Sequence, residues 1–337
     1  MSKLETMAYK MQPAGHESPE AKRKYQRSDK KLEAAFLRFL ESWDVDKGCD
    51  HPERMITDID ANIPEMHALL LAHQDHEKIA WAGGFVSAIY NKAPDETIIF
   101  DLKLATPINS LGKSLRKNKT IINRSTVGDY FGSEAEGTVI NEGIVKKDMG
   151  REATGPIINL GETDENLGIG SKGPILNYDC AGSIGSTNAD REYITHGPIL
   201  NYGSTGELGA LAKSLIINLG DAGERMSISA KKSSVTINYG TAGRSFGVSS
   251  RGIVLAVKAP ASFGPQTYAK LAWGADDCKC VPALAKYLKN LKELFEKGRK
   301  DYRIALEVLE SLGPKPQIRI QKEIEQIVKE AGYDIKT

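Results

Sequence analysis

The chain has 337 residues, and its 45 lysines and arginines almost match its 44 aspartates and glutamates, which leaves a formal net charge of +1. This balance gives no electrostatic reason to expect nucleic acid or an anionic membrane as a partner. The four cysteines are too few for a disulfide framework, there is no signal-peptide pattern, and no run of about 18 apolar residues occurs. We therefore expect a cytoplasmic protein that does not cross a membrane.

The N-terminal part of the sequence changes character near residue 30. Residues 1–30 are polar and charged, and we expect a flexible arm there. Residues 31–103 are predicted to form a helical region with a lead-in strand. Apolar side chains at helical spacing in residues 32–43 and 66–73 predict helices. The run Thr-Ile-Ile-Phe-Asp-Leu at 97–102 predicts the strand.

An internal repeat occupies residues 104–260. Seven short apolar blocks end in asparagine, most often 18 residues apart. The seven residues are Asn123, Asn141, Asn159, Asn177, Asn201, Asn218 and Asn238. Glycine recurs every six residues or so, which would cost about 1 kcal/mol each time inside a helix but suits tight corners between short strands. The pattern predicts a mainly β protein with helical flanks, whose centre is a three-sided parallel β-helix (a solenoid) of about 18 residues per coil, capped by α-helices at both ends.

The repeated asparagine has two interpretations. Stacked in successive coils about 4.8 Å apart, the side-chain amides would hydrogen-bond to one another along the axis, which we prefer. The alternative is a turn-forming residue at the surface. Pro107-Ile108-Asn109 is interpreted as a degenerate first block, and residues 253–257 as a last block without asparagine.

The unit Ile-Asn-Leu-Gly-Asp-Ala-Gly at 217–223 resembles the glycine-repeat (GXGXG-type) right-handed β-helix. This domain type is known at the C-terminus of the glutamate synthase large subunit, in one of the subunits of formylmethanofuran dehydrogenase and in uncharacterised archaeal repeat proteins. The resemblance covers only the repeat array. In those enzymes the β-helix is chiefly architectural, so the resemblance implies a fold and no catalytic residue.

Residues 261–337 are predicted to form three helices, with apolar stripes that begin at Leu284, Ile304 and Ile320. We expect the stripes to pack on neighbouring helices or on the solenoid, either at its open end or elsewhere. A helix that binds a partner protein is the alternative.

The histidines His67, His73 and His76 are the densest cluster of this residue type. His73 and His76 are three residues apart, so on a helix they would share a face and could share a metal ion. Because the sequence lacks the His-Glu-x-x-His pattern of a zinc protease, we expect solvated histidines instead.

The cysteines Cys278 and Cys280 are separated by a single residue, whereas structural zinc sites space paired cysteines by two or more. Cys49 and His51 would be needed to complete a four-ligand set. We regard this site as a weak candidate.

No set of residues with a catalytic pattern emerges. The run from Gly203 to Ser214 is similar to a phosphate-binding loop, but Ala212 replaces the glycine that should precede the lysine. Acidic residues recur at the predicted corners, yet basic residues alternate with them, which favours a solvated surface.

We therefore expect a non-enzymatic scaffold or protein-interaction module, without a cofactor, that presents a rigid solenoid face to a protein partner; a small-molecule ligand is not indicated either way. One alternative, which follows from the resemblance, is an accessory subunit of a multi-subunit redox or amidotransferase-type enzyme. Another is a ribosome- or nucleic-acid-associated protein that uses the basic residues of the C-terminal helices. These residues are Lys286, Lys289, Lys292, Arg299, Lys300 and Arg303.

Overall fold

The computed structural model of the chain describes residues 30–43, 52–59, 62–186, 193–258 and 269–335. The described N-terminal helices are α1 (Lys30–Ser42), α2 (Pro52–Met55), α3 (Ile63–Ala72) and α4 (Gly83–Lys92), with a 3₁₀ turn at Ile79–Trp81. The predicted N-terminal arm lies outside the described residues, except for Lys30 at the start of α1. The apolar stripes predicted at 32–43 and 66–73 coincide with α1 and α3, whose apolar faces are buried.

The strands form two parallel sheets. Sheet A contains ten strands in the order β1 (Thr97–Phe100), β2 (Thr120–Asn123), β4 (Thr138–Asn141), β6 (Ile157–Asn159), β8 (Ile175–Asn177), β10 (Ile199–Asn201), β12 (Leu215–Asn218), β14 (Val235–Asn238), β16 (Ile253–Ala256) and β17 (Leu271–Trp273). Sheet B contains seven strands in the order β3 (Thr126–Asp129), β5 (Ile144–Lys147), β7 (Glu162–Leu167), β9 (Cys180–Ile184), β11 (Ser204–Leu208), β13 (Asp221–Met226) and β15 (Thr241–Ala242). The chain alternates between the sheets from β2 to β15, so each of these coils contributes one strand to each.

The predicted parallel β-solenoid is confirmed, with about eight coils of roughly 18 residues and helices at both termini. Two of the three sides of a coil are strands, and the third consists of turns. Glycines with a left-handed backbone recur on the third side, as at Gly132, Gly150 and Gly168, where φ is +66°, +64° and +71°. A side chain at these positions would also meet the next inward-facing aliphatic residue, so both backbone and packing require glycine there.

The asparagines align in sheet A, where each pairs with the asparagine of the neighbouring coil. Ala256 continues the row after Asn238, so residues 253–257 do form a block without asparagine, but they are not the last one, because β17 pairs with β16 beyond them. At the other end the row begins with Phe100, because β1 pairs with β2 in the same register. The interpretation of Pro107-Ile108-Asn109 as a first asparagine block is therefore wrong. Asn109 lies beside the end of β3, where its Oδ1 accepts a hydrogen bond from the Asp129 backbone at 2.8 Å.

Helix α4 covers the first coil. Its buried residue Ser87 accepts a hydrogen bond from the Gly112 backbone N–H at 2.8 Å and donates to the carbonyl of Ser110 at 3.2 Å. Farther along α4, Asn91 accepts from the Arg116 backbone at 2.9 Å. The apolar core of the N-terminal helices continues into the interior of the solenoid as one cluster. The helices thus close an end that would otherwise expose unpaired backbone and apolar side chains.

The C-terminal helices are α5 (Ala275–Cys280), α6 (Pro282–Glu296), α7 (Tyr302–Ser311) and α8 (Pro316–Glu330), with a 3₁₀ turn at Lys297–Arg299. Their apolar stripes pack against the outer face of sheet A, as one buried cluster that extends from Ile140 to Val328. The prediction that the stripes pack on one another or on the solenoid is confirmed. The helices α6 to α8 lie along the side of the solenoid, because the outward side chains of sheet A are themselves apolar.

The outer face of sheet A becomes more apolar along the chain. The residue three positions before the asparagine is Thr120 and Thr138 in the first coils, then proline, and finally Leu215 and Val235. The residue just before the asparagine is isoleucine or leucine in every coil. Strands buried on both faces have continuous apolar runs instead of alternating ones, and this part of sheet A is of that kind.

Candidate functional site

The outer face of sheet B is exposed to solvent, in contrast to that of sheet A. We call it the B face and define it by the outward side chains of five strands. These are Lys146, Lys147, Glu162, Asp164, Glu165, Ser204, Glu207, Asp221, Glu224, Arg225 and Thr241. The inward positions of the same strands are buried, for example Val145, Thr163 and Ala222.

Ion pairs connect neighbouring coils across the B face. Lys146 lies 2.9 Å from Asp164, Lys147 lies 3.1 Å from Glu165, and Arg225 lies 3.3 Å from Glu207. Hydrogen bonds to Asp164 and Glu165 raise the pKa of Lys146 and Lys147. Exposed pairs of this kind add little stability, but they place opposite charges beside each other on neighbouring coils.

Glycines occupy the middle of the B face in its C-terminal half. Gly182, Gly206 and Gly223 stack on one another, and a Cβ atom on Gly223 would lie 2.5 Å from the Gly206 carbonyl oxygen. The glycines accompany the register shifts between these strands. This part of the face is therefore a flat strip of backbone between two rows of polar side chains.

Inside the corner between the two sheets, the asparagines form a continuous hydrogen-bonded row. Each Nδ2 donates to the Oδ1 of the next asparagine at 2.7–2.9 Å, from Asn123 through to Asn238. Most also donate to a backbone carbonyl of the same corner, as Asn141 does to Gly143 at 3.1 Å. All seven side chains are completely buried. Their geometry holds successive coils in register and leaves no asparagine available to a ligand.

A groove lies outside this same corner, between the coils and helix α6. We call it the corner groove. Its volume is about 460 Å³, and its lining residues come from five successive coils. The coils contribute Tyr178, Asp179, Tyr202, Gly203, Ser204, Leu219, Gly220, Asp221, Tyr239, Gly240, Thr241 and Lys258, and the helical side contributes Lys292, Glu296 and Arg299.

Along the inner margin of the corner groove, three tyrosines form hydrogen bonds with α6 and with the 3₁₀ turn that follows it. The hydroxyls of Tyr239, Tyr202 and Tyr178 donate to the backbone carbonyls of Leu288 at 2.7 Å, Phe295 at 2.7 Å and Gly298 at 2.5 Å. The rings of Tyr178 and Tyr202 stack with centroids 4.7 Å apart. Burial raises the pKa of all three hydroxyls, so they stay protonated donors. Helix α6 therefore runs antiparallel to the direction in which the coils advance.

Both sides of the corner groove carry charged groups of both signs, with Lys258, Asp179 and Asp221 on the coils and Lys292, Arg299 and Glu296 on the helical side. Lys258, Lys292 and Arg299 are exposed, and so are Asp179 and Asp221 on the coils. Arg299 pairs with Glu296 of its own helical segment at 3.4 Å, but among the described residues no ion pair joins the cations to the two aspartates. Asp221 instead accepts a hydrogen bond from Thr241 at 2.5 Å. Among the described residues, Lys258, Lys292 and Asp179 therefore have no ion-pair partner, whereas Arg299 and Asp221 already have partners within the groove.

The three histidines do not converge. His73 Nε2 lies 3.0 Å from Glu33 Oε1, while His76 Nδ1 accepts from the backbone of Lys78 at 3.1 Å. His67 lies deeper, with Nε2 2.6 Å from the hydroxyl of Tyr90, and burial lowers its pKa to about 4. Each ring has a different local partner, so the structure does not bring His73 and His76 together.

The two cysteines of the candidate zinc site, Cys278 and Cys280, differ in their exposure to solvent. Cys278 is buried, which raises its pKa to about 12, whereas Cys280 is exposed. Cys49 and His51 lie outside the described residues. Within the described ranges, no group of three or more histidine, cysteine, aspartate or glutamate side chains is placed to hold a metal ion.

The run from Gly203 to Ser214 contains β11 and the following turns, and no helix begins after it. A phosphate-binding loop needs such a helix N-terminus, so the local similarity has no structural counterpart. The basic residues predicted as a nucleic-acid contact are exposed on α6, on the 3₁₀ turn and at the start of α7. Three of them pair with acidic neighbours on the same segments. Lys289 pairs with Glu293, Arg299 with Glu296, and Arg303 with Asp301.

Comparison of the chain with protein-family models, with curated proteins and with solved structures gives no match. The resemblance of the repeat unit to the glycine-repeat β-helix extends to the parallel solenoid. It does not establish membership of a family. No helix in the described part of the chain has the length and apolar character needed to span a bilayer.

Sequence reasoning missed the corner groove. The signal was present as Asn-Tyr in three blocks, at 177–178, 201–202 and 238–239. A tyrosine directly after a buried asparagine points outward at the corner. A row of such outward aromatic side chains indicates that another part of the chain packs over them. Lys258 had no comparable signal, because only the fold places it opposite Lys292.

Proposed function

We propose that this protein is a non-enzymatic scaffold that binds another protein through the B face. The observation that carries the proposal is the contrast between the two sheets. The chain covers the apolar outer face of sheet A with its own helices and leaves the outer face of sheet B open over several coils. A solenoid of stacked coils offers an extended surface of this kind for binding.

Rigidity supports the same function. The buried asparagine row holds successive coils in register, and the parallel pairing of the strands in sheet B fixes the spacing of the B face. A preorganised surface loses little conformational entropy when a partner binds, so polar contacts can provide specificity. The mixed charges of the face favour a partner with a complementary pattern of both signs.

The test is affinity capture from a lysate of the cells that make this protein, with wild-type and variant chains as bait. The B-face variant carries Glu162→Lys and Glu224→Lys, which reverse two exposed carboxylates. The matched control carries Glu307→Lys and Glu330→Lys, which make the same change on α7 and α8. We expect a partner in stoichiometric amount with wild type and control, and its loss with the B-face variant.

Two outcomes would contradict the proposal. One is a wild-type chain that is recovered alone from the native lysate. The other is a partner that the B-face variant retains as well as the control does. Circular dichroism of each variant shows beforehand whether the solenoid is intact.

A further inference from the structure

A row of basic side chains follows the edge where the third side of the coils meets sheet A. Backbone hydrogen bonds between coils place one residue of each coil in line there, and in the coils that lead into β8, β10, β12, β14 and β16 this residue is basic. Coils stack about 4.8 Å apart, so the row is about 19 Å long. We call it the basic edge, and with one additional lysine it consists of Lys172, His196, Lys213, Lys231, Lys232 and Arg251.

The side chains of the basic edge lie close to one another and have no partners. Partial burial lowers the pKa of His196, and so do the neighbouring Lys213 and Lys172, which belong to the adjacent coils. Among the described residues, no ion pair or side-chain hydrogen bond involves any member of the row. The cations are therefore available to an anionic ligand, with His196 as a neutral hydrogen-bonding group between them.

Acidic residues are absent from the C-terminal part of this edge. The turns that lead into β12, β14 and β16 contain no aspartate or glutamate. On the neighbouring helix α8, Glu325 pairs with Lys270 at 2.8 Å. Glu310 of α7 lines a shallow groove together with Lys172, at the start of the row. The basic edge is thus a local concentration of positive charge in a chain whose net charge is only +1.

The backbone of the basic edge is not available to a ligand. The N–H groups of Lys172, Lys213 and Arg251 donate to carbonyls of the preceding coil at 2.8–2.9 Å. A peptide that binds as an added strand needs free backbone groups at a sheet edge, which these turns do not offer. Contact is left to the basic side chains and to half-exposed hydroxyls such as Ser229 and Ser249. Lysine, arginine and serine side chains are the groups that commonly bind the phosphates of nucleic acids.

We propose that the basic edge binds single-stranded nucleic acid through its phosphates, without preference for base sequence. A row of this length suits a strand of about four nucleotides or more. An extended acidic polypeptide fits less well, because its successive side chains point to opposite sides and half of its carboxylates would face away. The proposal goes beyond the scaffold function and shares no residue with the B face. It also differs from a contact through the C-terminal helices, where three of the basic residues are paired with acids.

The test is fluorescence anisotropy of labelled decauridylate and decacytidylate over a series of salt concentrations. Both should bind the full chain at low salt with affinities within about threefold of each other, since phosphates carry no sequence information. The logarithm of the association constant should fall with the logarithm of the salt concentration with a slope of about −2, as contact with about three phosphates gives for a single strand. No binding at low salt, or an affinity that salt does not change, would overturn the proposal.

Variants locate the binding. Lys213→Gln with Lys231→Gln removes two neighbouring cations of the basic edge, and it should weaken decauridylate binding about fivefold or more and reduce the magnitude of the salt slope by about 1.4. Lys286→Gln with Lys289→Gln is the matched control, because it makes the same change of net charge on the exposed side of α6. This control should bind as the wild type does. An effect of the α6 variant as large as that of the edge variant would assign the binding to the C-terminal helices or to overall charge and refute the proposed site. Circular dichroism shows that each variant is folded before it is compared.

Two other anionic probes separate nucleic acid from its rivals. A decaglutamate peptide should bind the full chain more weakly than decauridylate, because only part of its carboxylates can face the row. A decaglutamate peptide that bound at least as tightly, and lost its affinity in Lys213→Gln with Lys231→Gln, would assign the edge to acidic polypeptides and overturn the proposal. Phosphatidylserine vesicles that bound more tightly than decauridylate and were released by the same variant would assign the edge to a membrane surface and overturn it as well.

Discussion

The buried asparagine row shows how one residue type holds a solenoid in register. Asn159 donates to Asn177 at 2.8 Å and accepts from Asn141 at 2.9 Å, so its removal affects both neighbouring coils. Asn238 is the last member, and the next coil has Ala256 in its place. A buried polar atom that loses its partner costs about 1–3 kcal/mol, so position within the row should decide the effect of a substitution.

We predict that Asn159→Ala lowers the free energy of unfolding by about 2–3 kcal/mol, because it leaves the Oδ1 of Asn177 without its donor. Asn238→Ala should cost about 1 kcal/mol, since no asparagine follows it. Urea unfolding followed by circular dichroism measures both. Asn159 makes two amide-to-amide bonds and Asn238 makes one, so equal losses in the two variants would show that the second bond contributes nothing.

The buried pair of His67 and Tyr90 should make stability depend on pH. Burial lowers the pKa of His67 from 6.5 to about 4 and raises that of Tyr90, so both side chains are uncharged at neutral pH. Between pH 6.5 and about pH 4, His67 binds a proton in the unfolded chain but not in the folded protein. The stabilisation is therefore complete above pH 6.5 and is lost as the pH falls toward about 4.

We expect the wild type to lose about 2 kcal/mol more than a double variant, His67→Phe with Tyr90→Phe, when the pH is lowered from about 7 to about 4.5. The double variant removes both polar groups together and strands neither. Urea midpoints at the two pH values give the comparison. An identical loss in both proteins would mean that His67 titrates normally in the folded state.

At the scale of elements, the C-terminal helices act as an outer layer on sheet A. Leu284, Leu288, Leu291 and Phe295 of α6 are buried against it. Two tyrosine hydroxyls donate to carbonyls of α6, and a third donates to a carbonyl of the 3₁₀ turn that follows. Because the layer touches one face only, it can detach while the coils remain stacked. Regions of a protein commonly open separately in this way.

We predict that Leu288→Ala with Leu291→Ala lowers the stability of this layer by at least about 3 kcal/mol, through lost burial and the cavity that remains. Hydrogen exchange should accelerate in α6, α7 and α8 before it changes in β2 to β14. Lys286→Ala with Lys289→Ala is the control, because both lysines are exposed on the same helix. Equal acceleration in the strands would show that helices and solenoid unfold as one unit.

At the scale of the whole molecule, the two ends of the chain serve different purposes. The N-terminal helices share one core with the interior of the solenoid and close its first coil. An uncovered first coil would expose Phe100, Ile108 and Leu111 together with unpaired backbone, which is a template for aggregation.

We predict that a variant lacking residues 1–94 forms large aggregates, detectable by light scattering on a size-exclusion column. Ser87→Ala provides the milder comparison. It removes the acceptor of the Gly112 N–H, should cost about 1–3 kcal/mol, and should keep the wild-type hydrodynamic size. A truncated chain that eluted as a well-folded species of small size would refute the capping role.

The solenoid could be predicted from sequence because its determinants are local and repeated. Apolar pairs before Asn123, Asn141 and Asn159, with glycine at fixed offsets, allow only short strands and tight corners. Repetition at about 18 residues then requires each coil to bury its apolar side chains against the next one. The parallel order and the alignment of the asparagines follow from the same repeat.

The tertiary structure alone decided what lies on each outer face and where charges from distant segments meet. Ile157 and Ile158 are equally apolar in the sequence, yet the first faces the interior and the second lies under the C-terminal helices. Lys258 and Lys292 share a groove because α6 turns back along the coils, a path that depends on packing over the whole molecule. Repeats of short period encode their own stacking, whereas contacts between segments far apart in sequence depend on the sum of many weak interactions and leave no local pattern.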